Sequence, residues 1–279
     1  MAHEKHEDHK EQYLLGQSLA EQERLRQQPQ QLEAEARWLL DRLGIQHGWR
    51  ALDMGCGPRG ILDLLAERVG AQGRVVGLDR DEASVRLASA FAAERGLANV
   101  EVVHGDARAS GLPQESFDVA HMRLVLVNVP EPDRVVAALT ALVRPGGVVA
   151  VHEADYVSHF CEPPVEAWSR LFRAYATYAR DRGIDLHVGR RVPALLRAAG
   201  VMDIQVNPVV HVYPPGHPRR PIFLQFVENV RERLVGQGLL RAGEVTDLVD
   251  SVRCHLDDPR TLVVSHLFFQ VWGRKPGRV

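Results

Sequence analysis

Three aspartates, Asp53, Asp79 and Asp106, stand at the ends of three successive apolar runs, "RALDM", "GRVVGLD" and "NVEVVHGD". Behind the first come Gly55, Gly57 and Gly60 in a G-x-G-x-x-G spacing. Glycines so spaced let a backbone turn sharply and approach a ligand closely. Dinucleotide sites use the same spacing to rest a pyrophosphate at a helix N-terminus. An acid at position 53 argues against that ligand, because it sets anion against anion at short range. A ligand with a cation at the same place reverses the sign. The bland alternative for the glycines is a tight strand-to-helix turn.

S-adenosylmethionine meets the charge requirement: it has an α-ammonium, a sulfonium and no phosphate. Asp53 suits it directly or through water. Asp79 can accept both ribose hydroxyls, although an acid there serves NAD equally. Asp106 can accept the adenine amino group while the Ala107 N–H meets a ring nitrogen. Each acid alone could be a helix cap; three at successive strand ends are hard to explain structurally. An NAD(P)-dependent oxidoreductase remains an alternative, but it must explain Asp53, and the chain has no Tyr-x-x-x-Lys pair. A non-catalytic nucleoside-binding protein is a third reading.

The elements that must position these acids follow from periodicity. Two helical stretches lead, one from Tyr13 to Gln27 and, after Pro29, one with Leu32, Ala36, Leu39, Leu40 and Leu43 at spacings of three and four. From residue 50, short apolar strands alternate with amphipathic helices up to "GVVAVHEAD". That rhythm predicts βαβ units and a parallel sheet covered on both faces. Beyond Tyr156 it becomes irregular. Helices are expected at 163–182, 190–200, 221–235 and 243–257, with a strand at 202–213 and a single final strand, "TLVVSHLFFQVWGRKP". The domain division expected is a tail (1–12), helices covering the cofactor site (13–48), a cofactor-binding core (49–155), and a substrate-binding part with the last strands of the sheet (156–279).

The segments "LDMGCGPRG", "VVGLDRD", "VVHGDA", "LPQESFDVAHMRLVLVNVPEPDRVV" and "RPGGVVAVHEAD", in that order and spacing, resemble the class I S-adenosylmethionine-dependent methyltransferases. The resemblance covers about residues 50–155. The opening "YLLGQSLAEQERLRQQ" looks like the N-terminal helices of bacterial small-molecule methyltransferases related to the quinone-biosynthesis group. It implies a doubly wound, mostly parallel seven-stranded α/β sheet of Rossmann-like type, with N-terminal helices and a helical lid. By that resemblance Asp53, Gly55 and Gly57 hold the methionine end, Asp79 the ribose, Asp106 with Ala107 the adenine, Arg80 lies beside the adenosine, and Cys56 belongs to the cofactor-binding set. Arg123 joins the cofactor-binding set, and Tyr13 either folds over the cofactor, where a ring near the sulfonium gains about 0.5–2 kcal/mol, or packs in the core from an amphipathic helix. Arg59 departs from the Pro-Gly common in relatives.

The activity implied is transfer of a methyl group to O, N or C of a small natural-product or quinone-like acceptor, with S-adenosylhomocysteine as product. In-line displacement needs positioning, and a base only where the nucleophile must lose a proton. The candidates for that work are Glu153, Asp155 and His152 at and just past the end of the fifth strand, with His121 and Arg123 after the fourth. Tyr156, Phe160, Trp168, Phe172, Tyr175 and Tyr178 supply flat apolar surface; aromatics at helical spacing are more often core than pocket, so the acceptor pocket is expected in this region rather than at any one ring.

Composition limits the alternatives. The formal net charge is −2, so no basic field argues for nucleic acid. Cys56, Cys161 and Cys254 form no paired motif, so neither disulfide nor zinc is suggested. His3, His6 and His9 read as a solvated end rather than a metal site. No apolar run approaches the ~20 residues that span a bilayer, and "MAHEKHEDHKEQ" is no secretory signal. The expectation is a cytoplasmic enzyme without a metal. An N-terminal helix pair outside the core could exchange between subunits, which leaves a homo-oligomer open.

Overall fold

The structure, a computed structural model, describes residue 14 and residues 19–278. The histidine-containing tail and Tyr13 lie outside the described residues.

Nine strands are described: β1 (Arg50–Met54), β2 (Arg74–Asp79), β3 (Val100–His104), β4 (Phe117–Arg123), β5 (Val143–Asp155), β6 (Phe160–Glu162), β7 (Met202–Val209), β8 (Leu262–Val264) and β9 (Leu267–Arg274). The helices among the described residues are α1 (Leu19–Gln31), α2 (Glu33–Leu40), α3 (Leu62–Val69), α4 (Glu82–Glu94), α5 (Pro132–Leu142), α6 (Glu166–Arg180), α7 (Val192–Ala198), α8 (Ile222–Gly236) and α9 (Ala242–Asp257). Seven strands form one sheet in the order β3-β2-β1-β4-β5-β9-β7. β9 runs antiparallel to both neighbours and the remaining pairings are parallel. β6 and β8 pair separately.

Alternation along β1 explains the two core layers. Leu52 and Met54 join one layer, with Leu139, Val151 and Tyr175. Ala51 joins the other, with Leu39, Leu62, Leu65 and Val75. Leu62 and Leu65 on α3 are fully buried against that face, each contributing about 1.5–3 kcal/mol.

Three of the boundaries that differ from the sequence expectation have a local cause. α1 continues through Pro29 and breaks at Leu32. A proline near the end of a helix removes one hydrogen bond without stopping the last turn. α5 ends at Leu142, because Pro145 biases Arg144 toward extended backbone and β5 starts at Val143. The expected final strand is two strands, interrupted at Ser265–His266. There Ser265 N donates to His211 O (2.9 Å), His211 N donates to Ser265 Oγ (2.8 Å), and Ser265 Oγ donates to His266 O (2.6 Å).

Candidate active site

In an open parallel sheet, ligands sit at the carboxyl ends of the strands where the order reverses. Here that point lies between β1 and β4, and a cavity opens over it. Its wall includes Asp53, Gly55, Cys56 and Gly57 after β1, and Asp79 and Arg80 after β2. Asp106 and Ala107 follow β3, and Arg123 ends β4. All the cofactor candidates except Tyr13, which is not described, are thus brought to one wall.

Asp53 is buried and its carboxylate is engaged. Oδ1 meets His121 Nδ1 at 2.8 Å on the neighbouring strand, and Oδ2 accepts from Ile61 N at 2.9 Å, at the start of α3. The acid therefore builds the loop as well as facing the cavity. Asp79 Oδ2 accepts from Gly57 N (2.8 Å) and Oδ1 from Asp81 N (2.9 Å). Burial pushes its carboxyl up, and these amides oppose the push. Asp106 is forked by Arg108 at 3.0 Å through both Nε and Nη2, which holds its carboxyl below the usual range. Arg59 has a plain structural role: it pairs with Asp63 at 2.9 Å and stands 4.8 Å over the Phe91 ring, tying the loop to α3 and α4.

The segment after β4 completes the wall. Leu124 adopts φ +55, an uncommon conformation for a non-glycine residue and one that costs energy. It is held by Leu124 N donating to His152 O (2.9 Å) and by Leu126 N donating to Glu153 Oε2 (2.7 Å). That turn drives Val125 against Gly55, where a Cβ would lie 2.4 Å from Val125 Cγ2. Glycine at 55 is required by this contact and by φ +72.

The structure does not bring the three proposed catalytic residues to the cavity. Glu153 is fully buried beneath the turn, and its Oε1 accepts from Ala154 N at 2.9 Å. Burial pushes its carboxyl up to about 8 against the pull of several backbone amides. Asp155 is likewise fully buried, with Arg190, His187 (3.0 Å) and Val157 N on its carboxylate. His152 is buried with both ring nitrogens unpartnered among the described residues, packed edge-on against Phe268 at 5.6 Å. Of β5 only Ala154 reaches the cavity wall, while His152, Glu153 and Asp155 lie off it.

The other half of the cavity is lined by Tyr156, Phe226, His266 and Phe268, by Val127 on the turn, and by α1 through Glu21, Arg24 and Leu25. Among the aromatics expected there, Trp168, Tyr175 and Tyr178 are core residues and Phe160 is exposed. His266 was missed. It sits at the break between β8 and β9, 4.1 Å from Tyr156 and 3.9 Å from His159 by ring centroids, and its Nε2 has no partner among the described residues. Burial first, then His159, Arg219 and Arg24, hold its imidazole well below the usual range. Arg219 was also missed; it is buried on the wall and donates to Tyr213 Oη at 3.0 Å. The signal in the sequence was the polar Ser265–His266 pair interrupting an apolar run.

The sequence model of one family, described as a methyltransferase domain, matches residues 45–191. That is more than half of the chain, which belongs to this family of S-adenosylmethionine-dependent methyltransferases. A demethylmenaquinone methyltransferase from Geobacillus stearothermophilus is 29% identical over 182 residues, covering 61% of this chain and 78% of that protein. One from Listeria monocytogenes is 31% identical over 134 residues, covering 48% of this chain and 54% of that protein, so the match spans about half of its length. In fold, the chain is similar to Haemonchus contortus phosphoethanolamine N-methyltransferase 2 solved with S-adenosylhomocysteine. The TM-score is 0.56 at 19% identity, covering 87% of this chain and 52% of that one. The wall fits this cofactor on its own chemistry. Acceptor oxygens lie at the ends of β1, β2 and β3, and the close approach of backbone at Gly55 and Gly57 accompanies positive φ at both. No helix among the described residues is long and apolar enough to cross a membrane.

Proposed function

We propose that the chain methylates a small, flat, largely apolar acceptor, of quinol-like or natural-product type, held between α1 and the Tyr156–Phe226–Phe268 surface. The observation that carries this is one continuous cavity joining the acid-lined ends of β1–β3 to that aromatic half. The name of the curated relatives, demethylmenaquinone methyltransferase, supports a ring-bearing acceptor. When bound, S-adenosylmethionine supplies a methyl group made electrophilic by its sulfonium, with a neutral thioether as leaving group. In this reading Asp79 orients the ribose and Asp106 with Ala107 meets the adenine. Asp53, through the loop it builds, sets the electrostatics of the methionine end, and Arg80 flanks the adenosine.

What remains for the chain is to orient the acceptor and exclude water. Glu153, Asp155 and His152 lie off the cavity, so one polar atom of the acceptor falls to His266. Its imidazole is neutral across the physiological range and offers a hydrogen bond in otherwise apolar surroundings. Glu153 is a positioning residue, acting through the turn that carries Val125 and Val127. Incubation with the deuteromethyl-labelled cofactor and a panel of phenols, catechols and naphthoquinols tests the reading. Mass spectrometry should find labelled methyl on a ring-bearing acceptor. Label found instead on the protein or on RNA, with none on the small molecules, contradicts it.

A further inference from the structure

Arg123, from the end of β4, and Arg219, ahead of α8, line the same cavity and are both buried. Arg123 Nη1 is buried with no hydrogen-bond partner among the described residues. Arg219 donates to two neutral groups, Tyr213 Oη at 3.0 Å and Gln31 Oε1 at 3.4 Å, and stands 5.9 Å over the Phe268 ring. The two cations are close enough for Arg219 to depress the Arg123 guanidinium, after burial itself.

The carboxylates whose fields reach Arg123 are Asp53 and Glu35. Asp53 is engaged by His121 and Ile61 N. Glu35 stands 2.8 Å from His211 Nε2. The imidazoles around the site, His152, His159 and His266, are kept neutral by burial and by these arginines, so they add no charge. Buried guanidinium groups that donate to neutral groups or to nothing are costly until an anion completes them. Guanidinium is also the side chain whose donor fork matches an oxyanion.

We propose that Arg123 and Arg219 form a seat for a ligand oxyanion, a carboxylate, phenolate or enolate carried by the methyl acceptor; this rests on the acceptor reading above. A phenol or enol held there sheds its proton to solvent on binding, because the two cations favour the charged form. No carboxylate or imidazole of the protein then has to take that proton during transfer. The cofactor's own carboxylate has the same chemistry, and the test separates the two sources.

The experiment is calorimetric titration of the full chain with S-adenosylhomocysteine, then of that complex with 2-naphthoate and its uncharged isostere 2-naphthamide. It is run on the wild type, Arg123→Gln, Arg219→Gln and Arg219→Lys. The acid should bind at least about tenfold tighter than the amide. Either glutamine variant should erase that preference, Arg219→Gln should do so while leaving S-adenosylhomocysteine affinity within about twofold, and Arg219→Lys should keep part of it. In the absence of ligand, Arg123→Gln should melt above the wild type, since it removes a buried unpaired charge. Equal binding of acid and amide to the wild type overturns the proposal, as does a lowered melting temperature in Arg123→Gln. Weakened S-adenosylhomocysteine binding in Arg219→Gln, with 5′-methylthioadenosine unaffected, overturns the acceptor assignment and gives the seat to the cofactor's carboxylate. Failure of the wild type to bind S-adenosylhomocysteine at all would instead sink the methyltransferase reading beneath it.

Discussion

A Cβ at position 60 would lie 2.2 Å from Asp53 Oδ2, so Gly60 and the Asp53 carboxylate share a space that no other residue at 60 can enter unchanged. Gly60 also has φ +56. The third glycine of the loop is therefore fixed by the acid, and the acid by Ile61 N and His121. Gly60→Ala should destabilise the fold by about 1–3 kcal/mol through strain and displacement of a buried carboxylate. It should weaken S-adenosylhomocysteine binding with it. Thermal melting and calorimetry read both, and an alanine variant melting like the wild type contradicts the contact.

Asp79 is held by two backbone amides with its carboxylate on the cavity wall. Asp79→Ala should reduce S-adenosylhomocysteine affinity about 10- to 100-fold, the scale of hydrogen bonds to a charged acceptor. Unchanged affinity would remove the ribose assignment.

Glu153 gives a pH signature. Its folded carboxyl titrates near 8 against an ordinary 4.5. The folded state therefore holds the proton more tightly, and this group's contribution to stability is full below about 4.5. It is lost as pH rises through about 8, with a slope of at most about 1.4 kcal/mol per pH unit. Denaturation midpoints at pH 5.5, 6.5 and 7.5 should fall more steeply for the wild type than for Glu153→Gln. Parallel curves contradict the assignment.

His266→Phe keeps a ring of similar size and deletes the unpartnered nitrogen. The acceptor KM should rise about tenfold, with S-adenosylhomocysteine affinity unchanged. Because burial holds the wild-type imidazole neutral, kcat should show no His266 ionisation between pH 6 and 8. A wild-type kcat falling below an apparent pKa near 6.5, with that step absent in the phenylalanine variant, would make His266 a proton acceptor instead.

The acids at 53, 79 and 106 were legible in the sequence because strand ends in a βαβ rhythm must point to one edge of the sheet. The acceptor half was not. Glu153 and Asp155 look like pocket acids from strand position, yet the backbone amides of Leu126 and Ala154 and the side chain of Arg190 take their carboxylates. Local patterning cannot show such long-range or main-chain partners. His266 hid in an apolar run that reads as one strand; only the pairing of β8 with β6 and of β9 with β5 separates the halves and turns the imidazole inward. The fold was written in periodicity, whereas the acceptor site depends on where irregular segments meet.

The central claim is tested most directly by calorimetric titration of the full chain with S-adenosylhomocysteine and, in parallel, with NAD. One S-adenosylhomocysteine should bind per chain and NAD should not, because Asp53 sets a buried acid where a pyrophosphate would lie. NAD binding in the absence of S-adenosylhomocysteine binding would contradict the account.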